Sequence, residues 1–398
     1  MSPRSHAVAH GFGKLFIVGE HAVVTPGEPA VLVGVDRGVT ARVSVAAEQG
    51  SIHSPATLPR IAWRHDDGVP AIDGEHPYSH ALAALRIVER VRAERGLAAR
   101  HYDVVFESEL DSEIDGDGSA ETRSPRPVRK LGLGSSAAVT VAAVRAVGQL
   151  YDLGLGDREV YRLAMLATIA VSPAASGGDL AAATYGGWIA YRSPDRDALA
   201  AALPTTSVAA LIEHDDAWAG SAITPLSAPS GLRLLVGWTG APASTDALVS
   251  RVAAKRAADV DAARAAFVAR SRALTAEVTT GLHEGGDDLI LSAIRESRRA
   301  LADLGAATGV EIETPLLRAL CDAAEAQEAA AKPSGAGGGD CGIALAGPGV
   351  DVEAVYEAWR RAGVVPLHLS VVAGSRAAAS LAEPVTGPVA VTREAADA

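Results

Sequence analysis

The stretch of sequence that decides the fold is KLGLGSSAA, residues Lys130–Ala138. Apolar residues follow it at the spacing of one buried helix face: Val139, Ala143, Ala146 and Leu150. Glycines let the backbone approach an anion closely, and the unpaired N–H groups of a first helical turn point towards it. The two serine hydroxyls can bind phosphate oxygen or a magnesium ion, which prefers oxygen ligands. The stretch therefore predicts a phosphate-binding loop that opens a helix.

This loop differs from two common nucleotide-binding loops. It lacks the GxxxxGKS/T spacing of a P-loop. It also lacks the third glycine and the adjacent βαβ unit of a dinucleotide fingerprint. A tight turn with a serine helix cap is the structural alternative. Alone, the loop indicates an anion site and leaves the class of protein open.

Two further segments place charge beside glycines. Near the N-terminus, GKLFIVGEHAVV (Gly13–Val24) puts Lys14 at the mouth of a strand and a Glu-His pair after a glycine. Centrally, SGGD (Ser176–Asp179) leaves room for a ligand beside Asp179, which could accept a hydroxyl proton or pair with Lys14. The alternatives are a surface lysine with a solvated loop, and an Asx-turn carboxylate that bonds its own backbone.

A third glycine-rich loop, KPSGAGGGDCG, occupies Lys332–Gly342. Five glycines in eight positions cost conformational entropy on folding. Such a loop is therefore more often an anion cradle or a close-packing device than an ordinary connection. A flexible linker is the alternative, although linkers rarely lie between a capped helix and a buried strand.

The composition indicates a two-domain protein without a basic face. The 398 residues are 48% hydrophobic and 4% aromatic, enough for two cores packed mainly by small aliphatic side chains. Lys and Arg number 36 against 48 Asp and Glu, and the net charge of −12 argues against nucleic acid as a partner. Only two cysteines occur, and neither a signal-peptide pattern nor an apolar run of membrane-spanning length is seen. We therefore expect a cytoplasmic protein without a membrane partner.

Strand and helix patterns are mixed along the whole chain, which predicts an α/β or α+β fold. The predicted strands are Leu15–Val18, Ala30–Val35, Val39–Val45, Tyr102–Phe106, Trp188–Tyr191, Leu232–Thr239, Gly342–Leu345 and Val364–Val372. The candidate helix-start residues are Ser79, Asp157 and Thr314. Residues 109–130 combine acidic and basic clusters with prolines, which predicts a mobile insertion, either without a role or acting as a lid over a nucleotide. The proline-containing region 204–231 is the candidate domain junction.

Taken together, three of these glycine-rich segments, Gly13–Val24, Lys130–Ala138 and Lys332–Gly342, resemble the superfamily of galactokinase, homoserine kinase, mevalonate kinase and phosphomevalonate kinase (GHMP). Its members carry, in this order, a GK…GEH or GEY segment, a GLGSSAA-type loop and an SGAGGGD-type loop. Within the superfamily, bacterial phosphomevalonate kinases are the most similar group. That similarity rests on LAAATYGGWIAY (Leu180–Tyr191), VGWTGAPAST (Val236–Thr245) and KPSGAGGGDCGIAL (Lys332–Leu345).

The resemblance implies an α+β, two-domain GHMP-kinase fold with the active site in the cleft between the domains. The expected N-terminal domain, residues 1–222, contains a mixed sheet and binds the nucleotide, with 109–130 as a flexible insertion. The expected C-terminal domain, residues 223–382, is ferredoxin-like α/β, and residues 383–398 are expected to be a disordered tail. The cofactors implied are ATP and Mg²⁺, and the substrate implied is 5-phosphomevalonate of the mevalonate route to isoprenoids.

Site residues follow from the matched motifs. Lys14 and Asp179 are the expected catalytic residues, and Ser136 is the expected magnesium ligand. The expected ATP-binding residues are Gly132, Leu133, Gly134, Ser135, Ser136, Ala137 and Ala138. The expected substrate-binding residues are Lys14, Glu20, His21, Ser176, Gly177, Ser244, Thr245, Lys332, Ser334 and Gly335. Of these, Ser244, Thr245, Lys332 and Ser334 rest on loop chemistry and position alone.

Two departures from the family pattern leave alternatives open. Bacterial phosphomevalonate kinases often read GEY where this chain has Glu20-His21, and GEH is commoner in mevalonate kinases. Mevalonate kinases also place a magnesium-binding glutamate eleven residues before the catalytic aspartate, where this chain has Thr168. The first departure favours mevalonate as substrate, and the second disfavours it. Besides mevalonate kinase, the alternatives are a non-catalytic ligand sensor and an anion-binding scaffold with the acidic segment 109–121 as partner site. The oligomeric expectation is a monomer or a homodimer.

Overall fold

The computed structural model describes residues 4–113, 128–240, 245–254 and 258–375. The strands, in chain order, are β1 (His6–Val18), β2 (Pro29–Ala46), β3 (Gly50–Ser54), β4 (Leu58–Asp66), β5 (Val69–Ala71), β6 (His101–Ser108), β7 (Asp111–Glu113), β8 (Val128–Lys130), β9 (Trp188–Arg192), β10 (Ala222–Leu226), β11 (Arg233–Trp238), β12 (Ala330–Pro333), β13 (Cys341–Ala346) and β14 (Val365–Leu367).

The helices are α1 (Ser79–Glu94), α2 (Ser135–Leu150), α3 (Asp157–Ile169), α4 (Gly178–Tyr185), α5 (Arg196–Ala202), α6 (Val208–Glu213), α7 (Thr245–Ala254), α8 (Ala258–Glu284), α9 (Asp287–Thr308), α10 (Pro315–Glu325) and α11 (Val352–Arg361). Short 3-10 turns occupy Ala22–Val24 and Asp216–Trp218. None of the described helices combines the length and the apolar character that crossing a membrane requires.

The long strand β2 organises the first sheet. Two separate strands, Ala30–Val35 and Val39–Val45, were expected here, and they form one continuous strand. Its first half is apolar on both faces because both faces are covered, whereas its second half alternates buried Val39, Ala41 and Val43 with more exposed residues. The alternation ends at Val45, which is 44% exposed.

The first sheet is mixed, as expected. Its strand order is β10-β9-β2-β6-β3-β4-β5, with β1 paired to β2. The β3–β6 pair is parallel, and the other pairs are antiparallel. Strand β10 pairs with β9, so this sheet extends to Leu226, beyond the expected domain boundary after residue 222. Strands β3–β5 were not predicted: Ile52 is the only large apolar residue of β3, exposed polar residues interrupt the apolar pattern of β4, and β5 has only three residues.

Four helices pack together against one another and the first sheet. Helices α2 and α4 lie on β1 and β2, and α1 and α3 pack against α2. This packing brings the N-terminal ends of α2 and α4 and the C-terminal end of α3 to one region, where the site described below is found.

The second sheet is antiparallel, with the order β12-β13-β11-β14. Its connections, β11–helices–β12–β13–α11–β14, follow the split βαβ pattern of ferredoxin-like domains, which confirms that expectation. The chain then returns to the first sheet, where Val371 bridges Val35 and the Val372 N–H donates to Gly34 O at 3.0 Å. The expected strand Val364–Val372 is therefore only the short β14 followed by this bridge.

Of the three residues expected to cap helices, one does so in the structure. Thr314 caps α10 as expected: its hydroxyl accepts a hydrogen bond from Leu317 N at 3.3 Å, and a proline follows at the first helical position. Ser79 and Asp157 are instead the first residues inside α1 and α3, after Tyr78 and Gly156. The ends of the expected insertion pair as the hairpin β7–β8. Residues 114–127 and the expected tail 383–398 lie outside the described residues.

Candidate active site

A cavity of about 420 Å³ lies where the three glycine-rich segments meet. Strand β1 and the turn after it form one wall, and the N-terminal ends of α2 and α4 and the loop between β12 and β13 form the others. The expected site residues on its surface are Lys14, Glu20, His21, Gly132, Gly134, Ser135, Ser136, Ala137, Ser176, Asp179, Ser334 and Gly335. Segments separated by more than 300 residues of sequence thus share one cavity.

Lys14 lies on β1 against the glycine loop. Its backbone N–H donates to Leu133 O at 2.9 Å, and its ammonium Nζ donates to Gly132 O at 3.3 Å. The ammonium also lies 5.8 Å from the centroid of the Phe16 ring. These contacts hold a positive charge beside the N-terminus of α2.

The glycine loop reaches the cavity through backbone conformations that favour glycine. Gly132 and Gly134 have φ of 76° and 83°. A Cβ on Gly132 would lie 2.3 Å from the Cβ of Asp340, and one on Gly134 would lie 2.9 Å from Lys14 Cγ. The glycines therefore permit the close approach of the loop to both other segments.

Helix α2 begins at Ser135 with no side-chain cap and no acidic residue in its first turn. The first N–H groups of an α-helix lack intrahelical partners, and they carry the positive end of the helix dipole. Ser136 is exposed to the cavity, and the neighbouring Ala137 lines the same cavity although it is largely buried. This helix start therefore offers amide donors and hydroxyls to an anion.

Asp179 lies in the first turn of α4, which follows Gly177 in the left-handed conformation. Its Oδ1 accepts a hydrogen bond from Leu180 N at 2.9 Å, and the side chain remains partly exposed to the cavity. The preceding turn is held by Tyr191, whose hydroxyl donates to Ser176 O at 2.5 Å and contacts the Tyr161 hydroxyl at 2.9 Å. Burial raises the pKa of both tyrosines, so they remain neutral donors.

The third loop is fixed to β1 by buried polar contacts. The Ser334 hydroxyl accepts from Phe16 N at 3.0 Å and donates to Phe16 O at 3.1 Å. The Cys341 thiol donates to Leu131 O at 3.1 Å, which ties the same loop to the glycine segment. These bonds set the width of the cavity between the two sheets.

His21 lies on the cavity surface, but its ring is engaged by the third loop. Its Nε2 lies 3.1 Å from Ala336 O, so this nitrogen carries a hydrogen and donates. Burial lowers the pKa of His21, and this is the largest effect. The neighbouring Glu20 and the Ala336 carbonyl raise the pKa, whereas Lys332 lowers it further. The net pKa lies below the ordinary value. The neutral His21 ring thus donates a hydrogen bond to a backbone carbonyl, and a tyrosine hydroxyl at this position could do the same. The GEH motif is therefore weak evidence for mevalonate as the acceptor.

Lys332 is fully buried and lies off the cavity surface. Its ammonium forms an ion pair with Glu20, and it also donates to Pro333 O at 2.8 Å. Its positive charge is therefore matched by a carboxylate of the protein, whereas its place in the glycine-rich loop predicted a contact with the substrate.

The remaining expected residues are placed as follows. Leu133, Ala138 and Gly177 are buried behind the cavity surface. Thr245 is the first residue of α7, and nothing is described of its side chain. Ser244 lies outside the described residues.

Several cavity residues were not expected as site residues: His80, Lys130, Thr168, Val249 and Asp340. Signals existed for three of them. Lys130 and Asp340 belong to the quoted glycine-rich stretches, and Thr168 occupies the position of the mevalonate kinase glutamate. His80 and Val249 lie in helices with no local motif, so only the packing of α1 and α7 reveals them.

The side-chain oxygens that line the cavity are hydroxyls and carboxylates. Among the described residues, no group of three or more His, Cys, Asp or Glu side chains could hold a metal ion. The Ser136 hydroxyl and the Asp179 carboxylate face the same cavity. Mg²⁺ commonly binds one or two protein oxygens together with substrate phosphates, so this donor set fits a magnesium–nucleotide complex.

Comparison with known proteins matches both halves of the chain to one family. The family models described as GHMP kinases N terminal domain and GHMP kinases C terminal match residues 82–187 and 283–365. A phosphomevalonate kinase from Streptomyces sp. (strain CL190) is 43% identical over 91% of this chain and 96% of that protein. A mevalonate kinase from Pyrococcus abyssi is 26% identical over 89% of this chain and 92% of that protein.

Solved structures show the same similarity. Phosphomevalonate kinase of Streptococcus pneumoniae, in complex with phosphomevalonate and AMPPNP, has a TM-score of 0.77 and 25% identity, covering 92% of this chain and 99% of that chain. The Lin0012 protein from Listeria innocua has a TM-score of 0.82 and 31% identity, covering 93% and 99%.

Proposed function

The chain belongs to the GHMP kinase family, and from that premise we propose that it is a phosphomevalonate kinase. It transfers the γ-phosphoryl group of ATP to 5-phosphomevalonate and produces 5-diphosphomevalonate and ADP. The observation that carries the proposal is the 43% identity to a phosphomevalonate kinase across nearly the whole length of both chains. The shared cavity supports it, because both anion-binding loops and Lys14 face one space.

The reaction is a phosphoryl transfer between two phosphates. An oxygen of the acceptor's phosphate forms a bond to the γ-phosphorus, and the bond from that phosphorus to the oxygen bridging the β- and γ-phosphates breaks. The electron pair of the broken bond remains on ADP. Such a reaction needs positioning and charge neutralisation far more than covalent help from the protein.

The N-terminus of α2 binds the ATP phosphates. Its uncapped N–H groups and the hydroxyls of Ser135 and Ser136 supply donors, and Gly132 and Gly134 allow the backbone to approach closely. Ser136 would hold Mg²⁺ together with the phosphate oxygens. When bound there, the ion neutralises phosphate charge.

Lys14 stabilises the charge that develops on the transferring group. Its ammonium is anchored 3.3 Å from Gly132 O, beside the α2 N-terminus, and the acceptor and ATP must meet in the same cavity. Asp179, in the first turn of α4, orients the reacting groups, and the transfer does not require a general base. The acceptor phosphate has a second pKa of about 6, so it is already ionised at neutral pH.

The compartment and the assembly are also proposals. Cys321 and Cys341 are both free and buried, which agrees with the expected reducing cytoplasm. A monomer or a homodimer is the proposed assembly.

An assay of ADP release tests the function. Purified protein with Mg-ATP is given 5-phosphomevalonate or mevalonate in parallel reactions, and turnover with phosphomevalonate is expected. Turnover with mevalonate alone would show a mevalonate kinase, the alternative that the 26% identical Pyrococcus relative supports. Binding of both ligands without turnover would show a non-catalytic sensor.

A further inference from the structure

Thr168 has an unsatisfied hydroxyl on the wall of the active-site cavity. The residue lies in the last turn of α3, is only 5% exposed and borders the cavity. Within the described part of the chain, its Oγ1 has no hydrogen-bond partner. Buried polar groups are normally paired, so an exception in a ligand cavity calls for a physical explanation.

Among the described residues, three other buried helical threonines satisfy their hydroxyls locally, whereas Thr184 in α4 does not. The hydroxyls of Thr140, Thr275 and Thr308 each donate to the carbonyl four residues earlier, at 2.8, 2.8 and 2.7 Å. Thr168 does not make this bond, although it lies in the same kind of structure. Leaving a buried hydroxyl unpaired costs free energy, and a ligand that supplies an acceptor removes that cost.

The surroundings of Thr168 indicate which ligand supplies the acceptor for its hydroxyl. The Thr168 carbonyl accepts a hydrogen bond from Ser172 N at 2.7 Å, which connects the end of α3 to the turn that leads to Asp179. Thr168 lies on α3, whereas the ATP phosphates are assigned to the N-terminus of α2. A neutral donor on this wall can bind an anion, whereas a carboxylate at the same position would repel it.

We propose that the Thr168 hydroxyl donates a hydrogen bond to an oxygen of the acceptor's phosphate, and that Thr168 thereby selects a phosphorylated acceptor. The assignment rests on the proposed function, and it adds a specificity residue to it. It also explains why a hydroxyl, and not a carboxylate, occupies this position eleven residues before Asp179.

The test uses Thr168→Val, which keeps the shape of the side chain and removes the hydroxyl. KM for phosphomevalonate should rise about 10- to 100-fold, as expected for a lost hydrogen bond to a charged group. KM for ATP should stay within about two-fold, and Tm should be unchanged or higher because an unpaired buried hydroxyl is removed. Thr168→Ser, which restores the hydroxyl, should recover most of the affinity for phosphomevalonate.

Thr184→Val is the matched control. Thr184 lies in α4, is 1% exposed, also has an unpaired hydroxyl among the described residues, and is not on the cavity wall. Thr184→Val should therefore change Tm in the same direction as Thr168→Val. It should leave KM for phosphomevalonate and KM for ATP unchanged.

Three results would overturn the assignment: an unchanged phosphomevalonate KM in Thr168→Val, a loss confined to ATP affinity, or a fall in Tm that Thr184→Val does not show. Failure of the proposed function looks different, since the wild-type protein itself would then not use phosphomevalonate. In that case the specificity role of Thr168 falls with it.

Discussion

Lys332 and Glu20 form a buried ion pair between the two sheets of the molecule, with side chains that are 0% and 3% exposed. Lys332 belongs to β12 of the second sheet, and Glu20 follows β1 of the first. The pair therefore connects the strand that carries Lys14 to the loop that carries Ser334. Its contribution is to position the cavity walls, because neither charge is left over for a ligand.

Replacing Lys332 with Met should destabilise the protein strongly. The Glu20 carboxylate would remain buried without its partner, and removing one member of such a pair typically costs about 3–5 kcal/mol. Denaturant unfolding measures the loss, and the double variant Glu20→Gln with Lys332→Met should recover much of it. A single variant of normal stability with a raised KM for the acceptor would instead support the direct substrate contact expected from the sequence.

Lys14→Met should lower kcat by about 10³-fold or more, because the charge that meets the transferring phosphoryl group is removed. Methionine retains an apolar stem against Phe16, so the fold should be intact. Titration with ATP should give a dissociation constant within a few-fold of the wild type. Turnover close to normal would exclude Lys14 from the mechanism.

Asp179→Asn should reduce kcat less than Lys14→Met does. The acceptor phosphate is ionised above about pH 6, so no strong base is required for its attack. The pH–rate profile above neutrality should keep its shape in the variant. If activity were abolished and returned only at alkaline pH, Asp179 would instead be the general base.

Gly134→Ala should impair catalysis through Lys14. The new Cβ would lie 2.9 Å from Lys14 Cγ and would displace the lysine stem. Gly154→Ala is the control, since Gly154 also has a positive φ, 63°, but no atom within 4 Å of the added carbon. Both substitutions should cost about 1–2 kcal/mol of backbone strain, and only Gly134→Ala should lower kcat. Equal kcat values for the two variants would contradict this coupling.

His21 should make stability depend on pH. Burial lowers the pKa of His21 in the folded protein below the ordinary value of 6.5, which applies to the unfolded chain. Between the folded and the unfolded pKa, the unfolded chain therefore binds more protons than the folded protein. Stability should therefore fall as the pH drops through about 6.5. In His21→Gln, whose amide can still donate to Ala336 O, the loss measured by thermal unfolding between about pH 7 and 5.5 should be smaller. Identical pH curves for both proteins would show that His21 does not contribute.

Much of the local structure follows from the sequence. The strand at Val39–Val43 alternates as its residues predict, and Thr314-Pro315 begins a helix as its capping chemistry requires. Helix-start positions were predicted wrongly where a neighbouring residue, and not the expected one, precedes the helix. Gly156 precedes α3 in place of Asp157, and its N–H donates to the Glu159 carboxylate at 3.0 Å.

The sequence by itself determined the family and the three glycine-rich loops, because their chemistry is local: glycine permits close backbone approach, and a helix start offers free N–H groups. Only the tertiary structure decided what each charge and hydroxyl of the cavity faces. Lys332 meets Glu20, His21 meets Ala336, and Thr168 meets no described partner. The first two of these pairings join residues more than 300 positions apart, and no local pattern encodes them because they depend on how the two sheets pack.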